Sequence, residues 1–272
     1  MNANDITFGI EIECLIPAAS CPTVGGYHQG VQVAGLPDGW NAQYDGSIRA
    51  RRGYRGVEIV SPVLKGAEGI RQIKAVCEWL KAVGAKVNKS TGLHVHVGYA
   101  TDVERRKRIV TVAANFEKAI FASTGTKSRE RGRFCQSVQS SQRHQQGRLD
   151  IVDRYHVLNV RTHKPTVEFR AFAGTTNFLK IVAYVRLCVG LVERTNELTR
   201  LPNWTAKPVV ESSPIKRGGD GLTALNRLFY WLGWTQGRTK AVYGAVGVEV
   251  APAMKTCKGQ LVRLARKYDA SR

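Results

Sequence analysis

Four short stretches of this chain place carboxylates, imidazoles and one guanidinium at every second position. They are Phe8-Gly9-Ile10-Glu11-Ile12-Glu13, Gly56-Val57-Glu58-Ile59-Val60, Leu93-His94-Val95-His96-Val97 and Thr166-Val167-Glu168-Phe169-Arg170. A β-strand repeats its side-chain direction every two residues, so each stretch sends its apolar set into a core and its polar set onto the other face. That polar face gathers Glu11, Glu13, Glu58, His94, His96, Glu168 and Arg170. An ordinary solvated face carries lysine, threonine, serine and mixed charges. This one carries groups that hold metal or phosphate, and it reads as an active site laid across a sheet.

Glu11 and Glu13 in one strand stand about 7 Å apart on one face, at a rise of about 3.3 Å per residue. Two carboxylates at that spacing repel unless a cation lies beside them, and hard cations such as magnesium prefer oxygen ligands. A lone Glu-x-Glu is ordinary; Glu58 and Glu168 in further alternating strands make it a candidate metal bed. His94 and His96 also share a face. They suit metal ligation, a phosphate contact or the orientation of a substrate carboxylate. Zinc is the weaker reading because no thiolate cluster accompanies them, although two histidines and a glutamate supply three ligands. Arg170 presents a fixed fork of donors that fits phosphate or carboxylate oxygens. Taken alone, Glu168 and Arg170 are a same-face ion pair worth less than about 1 kcal/mol if exposed.

Arg49, Arg51, Arg52 and Arg55 flank Glu58, and Arg129, Arg131 and Arg133 lie in a polar segment, so cations for a transfer reaction on ATP are at hand. No GxxxxGK[ST] and no GxGxxG occurs, which argues against a P-loop or Rossmann nucleotide site.

The elements that must position these groups follow from periodicity. A strand over about Ile6–Leu15 gives way to a Gly- and Pro-rich loop or hairpin insertion, Pro17 to Trp40, of the kind that covers a site. Tyr44 to Ile48 is a turn, and Gly53 to Val63 is a strand. Ile70, Ile73, Cys77, Leu80 and Val83 fall at helical spacing before a capping Gly84. Ile109, Val112, Phe116 and Ile120 mark a second helix from Asp102 to Ser123, and Gly125 to Gly147 reads as a mobile polar loop. A strand over His156–Arg161 and a turn at His163-Lys164-Pro165 lead into the Glu168 strand. Phe178 to Leu198 is a third helix, with Ile181, Val185, Cys188 and Val192 inward, and further helices are expected over Leu222–Trp234 and Lys255–Tyr268. This order predicts an α+β domain, residues 1–200, with helices on one face of a mostly antiparallel sheet, and a basic helical extension, 201–272, packed on it.

The chain has 272 residues, 43% hydrophobic and 23% charged, enough to bury a substantial core. No apolar run approaches a membrane span, and the N-terminus lacks the pattern of a signal peptide. Six scattered cysteines without a CxxC pair fit a reduced, cytoplasmic protein. The net charge of +20 favours an acidic or nucleic-acid partner, or steers an acidic substrate. The excess is spread over Arg105 to Arg108, Lys127 to Arg148 and the C-terminus, so it does not assign a function. A homo-oligomer is compatible with these features.

Taken in order, FGIEIE, DGSI, GVEIVSPVL, a helix, STGLHVHVG, a YxxLN-like segment and TVEFRAF resemble the amidoligases, a family related to glutamate–cysteine ligase and glutamine synthetase. The resemblance runs from about Ile6 to Glu193. It implies an ATP-dependent carboxylate–amine ligase on a glutamine-synthetase-like catalytic sheet, acting through an acyl phosphate. It implies that Glu11, Glu13, Glu58 and Glu168 hold two or more Mg2+ ions, with Mn2+ as a substitute. His94 and His96 would contact metal, phosphate or substrate carboxylate, and Arg170 would stabilise the transferred phosphoryl group. Asp45 and Asn159 would line the substrate side, and with Arg49 and Arg154 they form the expected substrate- or nucleotide-binding set. The partners are then a carboxylate and an amine, with no membrane.

A rival reading is a metal-dependent single-strand endonuclease or relaxase-like enzyme, because His94-Val95-His96 also fits a His-hydrophobe-His motif. Such enzymes need a nucleophilic tyrosine on a helix, for which Tyr184 is the candidate. This reading leaves Glu11, Glu13, Glu58 and the Glu168 strand unexplained. A catalytically idle descendant that only binds nucleotide or nucleic acid would have no need of so complete a polar face.

Overall fold

The computed structural model describes residues 5–100, 102–130, 132–141, 151, 153–200, 220–235 and 254–271. The four alternating stretches all become strands. β1 (Phe8–Pro17), β4 (Tyr54–Val60), β5 (Gly92–Gly98) and β7 (Thr166–Ala173) lie together in one sheet. Three short strands complete it: β2 (Val31–Gln32), β3 (Asn41–Gln43) and β6 (Leu158–Asn159). The order is β2-β3-β4-β1-β5-β7-β6, and each neighbouring pair is antiparallel.

Alternation decides the two faces. Ile10, Ile12, Val57, Ile59, Leu93, Val95, Val97, Val167 and Phe169 are buried on the helical side. The helices there are amphipathic or apolar around most of their girth. They are α1 (Gly66–Ala82), α2 (Val103–Ala122) and α3 (Phe178–Asn196). α3 packs on β5, α2 and α1, while α2 packs on β7. Asp102 caps α2 by accepting from the Arg105 amide at 3.0 Å, and Asn177 caps α3 from the Lys180 amide at 3.0 Å. α1 ends where expected, with Gly84 at φ +73° just beyond it. The fold is α+β, with helices on one face of an antiparallel sheet.

Two further helices follow, α4 (Asp220–Trp231) and α5 (Met254–Ala270). α4 lies on α2, and α5 lies on α4, α3 and α2. Asp269 accepts from the amides of Gly221 and Leu222 at 2.8 and 3.0 Å, so α5 supplies the carboxylate that satisfies the start of α4. All six cysteines are free. Among the described residues no helix is long and apolar enough to cross a membrane.

The first insertion is a hairpin, as expected, and the second expected loop is more packed than its composition suggests. The Pro17–Trp40 insertion contributes β2, and it buries Trp40 completely, with Nε1 donating to Gln72 Oε1 at 2.9 Å. The described part of Gly125–Gly147 is packed rather than loose. Cys135 and Val138 are fully buried, and Glu117 of α2 accepts from the Ser137 hydroxyl and the Val138 amide at 2.7 and 2.9 Å. These apolar side chains and the carboxylate anchor are among the contacts that hold so polar a segment. Arg131 and residues 142–147 lie outside the described residues.

Candidate active site

Strand register builds the site. Glu13 on β1 is the cross-strand partner of Glu58 on β4, which is in turn the partner of Gln43 on β3. On the other side Glu11 faces His94 on β5, His96 faces Glu168 on β7, and Glu168 faces Asn159 on β6. Cross-strand partners on one face lie close enough to touch. The polar row therefore runs continuously across six strands.

The side chains interlock along that row. Glu11 Oε2 lies 2.8 Å from His94 Nδ1, and Glu11 Oε1 lies 3.0 Å from His96 Nε2. His94 Nε2 is 3.4 Å from Glu13 Oε1, and His94 Nδ1 is 3.4 Å from Glu168 Oε1. Gln43 donates to Glu58 at 2.6 Å, Asn159 donates to Glu168 at 2.8 Å, and the Gly92 amide donates to Glu13 at 2.6 Å. Arg170 is ion-paired to Glu168. Glu13, Glu58, His94 and Glu168 are each about 95% buried, which is far from the solvated face of an ordinary sheet.

A cavity of about 410 Å3 opens on this row, lined by Glu11, Glu58, His94, His96, Glu168 and Arg170 together with Asp45, Arg154 and Asn159. Two expected residues are placed differently. Glu13 is buried and does not line the cavity, although its carboxylate stays within 4.8 Å of those of Asp45 and Glu58. Arg49 is exposed and outside the cavity. Its amide donates to Ser90 Oγ at 2.9 Å and its carbonyl accepts from Asn88, so it ties two loops together. The neighbouring Arg51 stacks over the Tyr54 ring, 4.3 Å from its centroid.

Tyr184 is 1% exposed and stacked on Phe172 with ring centroids 4.2 Å apart. It is a core residue on the helical side and does not line the cavity, so it is not placed to serve as the nucleophile of the endonuclease reading.

Several residues of the polar row and of the cavity wall are not among the site residues expected from the sequence. Gln43 is buried against Glu58, and its position two residues before Asp45, in an Asn41-Ala42-Gln43 alternation, was the available signal. Tyr27 and His28 arrive from the first insertion, and Arg161, His163 and Lys164 from the β6–β7 hairpin. Arg154 Nη2 donates to the Tyr27 hydroxyl at 3.0 Å, which bridges the two rims. His28 sits at φ +58°, a strained backbone for a non-glycine residue.

The electrostatics are those of a crowded carboxylate bed. Burial pushes the Glu11 carboxyl up, but hydrogen bonds from His94 and His96 outweigh it and hold the group well below the usual range. Burial, reinforced by the Glu11 charge, pushes Glu58 up to about 7. For His94 and His96 burial works against the charged form, yet the Glu11 and Glu168 carboxylates win and both imidazoles are raised. Among the described residues, three groups bring ligand atoms within 4.8 Å of one another: Glu11, Glu58 and His94; Glu11, His96 and Glu168; and Glu13, Asp45 and Glu58. Such a bed can hold divalent cations and, through them and Arg170, a polyphosphate.

Comparison with known proteins agrees in extent with the motif order. Residues 4–192 match the family described as "Putative amidoligase enzyme". No curated protein matches the chain. A solved structure titled "GmaS/ADP complex-Conformation 1" aligns over 96% of this chain and 68% of its own, at 11% identity and a TM-score of 0.44. The family match covers well over half of the sequence and takes in every strand of the sheet, and on that ground the chain belongs to the amidoligase family.

Proposed function

We propose that this chain is an ATP-dependent carboxylate–amine ligase that forms an amide through an acyl phosphate, with Mg2+ held on the carboxylate row. The observation that carries this reading is the convergence of Glu11, Glu58, His94, His96, Glu168 and Arg170, from four strands, on one cavity. Family membership supports the amide-forming class.

The donor set fits a hard divalent cation. It is rich in carboxylate oxygen, and burial with mutual repulsion leaves Glu58 holding its proton up to about 7. Glu11, Glu13, Glu58 and Glu168 would hold two or more ions, with His94 and His96 beside them and Mn2+ as a substitute. Bound there, Mg2+ supplies charge neutralisation for the phosphates. The chain's own groups supply position. In the proposed reaction a substrate carboxylate oxygen bonds to the γ-phosphorus of ATP as the bond to ADP breaks. An amine nitrogen then bonds to the acyl carbon, and inorganic phosphate leaves. Arg170, fixed by Glu168 and by the Phe134 carbonyl, presents its fork where charge spreads over the transferred phosphoryl group. Asn159, Asp45 and Arg154, which line the cavity, would stand on the substrate side. Tyr27 and Arg154, bonded across the opening, help to keep water from an acyl phosphate that would otherwise hydrolyse.

The test is chemical trapping. Incubation with Mg-ATP, a panel of carboxylates and hydroxylamine should give ADP and a hydroxamate in the wild-type chain and neither in Glu168→Gln. ADP release at the wild-type rate in both Glu11→Gln and Glu168→Gln would defeat the assignment.

A further inference from the structure

The register between β5 and β7 breaks inside the site. Leu93 pairs with Phe172 and Val95 with Phe169, so His94 alone stands opposite two residues, Arg170 and Ala171. A bulge of this kind disrupts the ladder and re-aims a side chain, and bulges recur beside active sites. One side chain takes both carbonyls of the bulge. Arg129 donates from Nη2 to the Arg170 carbonyl at 2.7 Å and from Nε to the Ala171 carbonyl at 3.2 Å. The same Nη2 lies 3.2 Å from the point a Cβ on Gly92 would occupy, a point 3.3 Å from His94 Nε2 and 3.5 Å from Glu13 Oε2. Glycine at position 92 leaves the space in which the guanidinium reaches the sheet.

The turn that carries Arg129 is itself held from behind. Its carbonyl accepts from the Gly132 amide and the Cys135 thiol, each at 2.9 Å. The next residue, Glu130, accepts from the Tyr268 hydroxyl and, at 3.1 Å, from Lys118 Nζ. Lys118 also donates to the Tyr268 oxygen at 2.7 Å. Farther along the turn, the Phe134 carbonyl accepts from Arg170 Nε at 3.4 Å. The turn therefore grips Arg170 at its backbone and at its side chain. Tyr268 is 1% exposed and belongs to α5, outside the segment that matches the family.

We propose that α5 is a working part of the site: through Tyr268 and Glu130 it fixes Arg129 on the β7 bulge, which makes Arg129 a positioning residue for Arg170 and His94. The mechanical half of this inference stands on the contacts alone. Its consequence for ligand binding rests on the metal-site reading above.

The two halves are tested separately on the full chain. Hydrogen exchange is measured in the wild type, Tyr268→Phe, Arg129→Gln and the double variant, with Glu130→Gln as a second cut of the same link. Both single variants should exchange faster across residues 166–173 and leave 54–60 unchanged, and the double variant should match Arg129→Gln. Faster exchange confined to 220–231 and 254–270 in Tyr268→Phe would overturn the clasp, leaving α5 as packing only. Calorimetric titration with Mn2+ reads the consequence. Arg129→Gln should weaken the Kd by about tenfold, the scale of losing a residue that orients ligands from behind, with a smaller loss of the same sign in Tyr268→Phe. Effects that simply add in the double variant, or a tighter Kd, would overturn the positioning role. A wild-type chain that binds no Mn2+ would sink the metal reading, and hydrogen exchange would still decide the clasp.

Discussion

Glu11 and His94 are cross-strand partners on β1 and β5, and their side chains close to 2.8 Å between Oε2 and Nδ1. The other oxygen of the same carboxylate reaches His96 at 3.0 Å. One glutamate therefore orients both imidazoles of the His-x-His strand. Glu11→Gln keeps the shape and removes the charge. It should lower ATP turnover by about a hundredfold or more, the scale of losing one preorganised electrostatic group, while the far-ultraviolet circular dichroism stays unchanged. Turnover close to wild type would contradict the central place given to Glu11.

Stability should depend on pH in a direction set by the same bed. Glu58, raised to about 7 from an ordinary 4.5, binds its proton more tightly in the folded state. Such a group stabilises the fold fully below its unfolded value, and that contribution is lost as pH rises through the folded one. His94 and His96, both raised from 6.5, act in the same direction. Glu11, held well below its ordinary value, acts the other way and only at acid pH. In chelator the melting midpoint should therefore fall between about pH 5 and pH 8. Mn2+ should flatten or reverse the fall, because metal competes with those protons. A midpoint that rises with pH in chelator over this window contradicts the coupling.

Gln43 tests the support of a single ligand candidate. Its amide donates to Glu58 at 2.6 Å in a buried setting. Gln43→Leu leaves that carboxylate less well held in its charged form, and the affinity for Mn2+ should drop by about tenfold. An unchanged Kd by calorimetry would reduce Gln43 to a packing residue.

A control separates folding from chemistry. Asn177 caps α3 through the Lys180 amide and takes no part in the cavity. Asn177→Ala should cost about 1 kcal/mol in urea unfolding and leave turnover at saturating substrate unchanged. A fall in turnover would mean that the start of α3 is coupled to the site.

Much of this was legible in the sequence because alternation is a local signal. The Glu11, Glu58, His94 and Glu168 strands, and the helices carrying Ile73, Phe116 and Val185, follow from periods of two and 3.6. Register is not local. That Glu11 meets His94, and that His94 faces two residues of β7, depends on how strands distant in sequence pair. The strand expected over His156–Arg161 is present but shorter, Leu158–Asn159. Arg49 stands close in sequence to Glu58, yet its backbone bonds to Ser90 and Asn88 and its side chain does not line the cavity. Tyr184 falls on a helix as expected, but its ring lies on Phe172 within the core. In the sequence Arg129 is one of three arginines in a polar segment; only the bulge, with two carbonyls for it to satisfy, sets it apart.

The most direct test of the ligase account is thermal unfolding with Mg-ATP in the wild type and in Glu11→Gln, beside single-stranded DNA with manganese. At about 100 times its Kd, a ligand stabilises the fold by about 2.7 kcal/mol. The account predicts a raised midpoint with Mg-ATP in the wild type and no shift in Glu11→Gln. An equal shift in both proteins, or a shift with DNA and none with Mg-ATP, would contradict it.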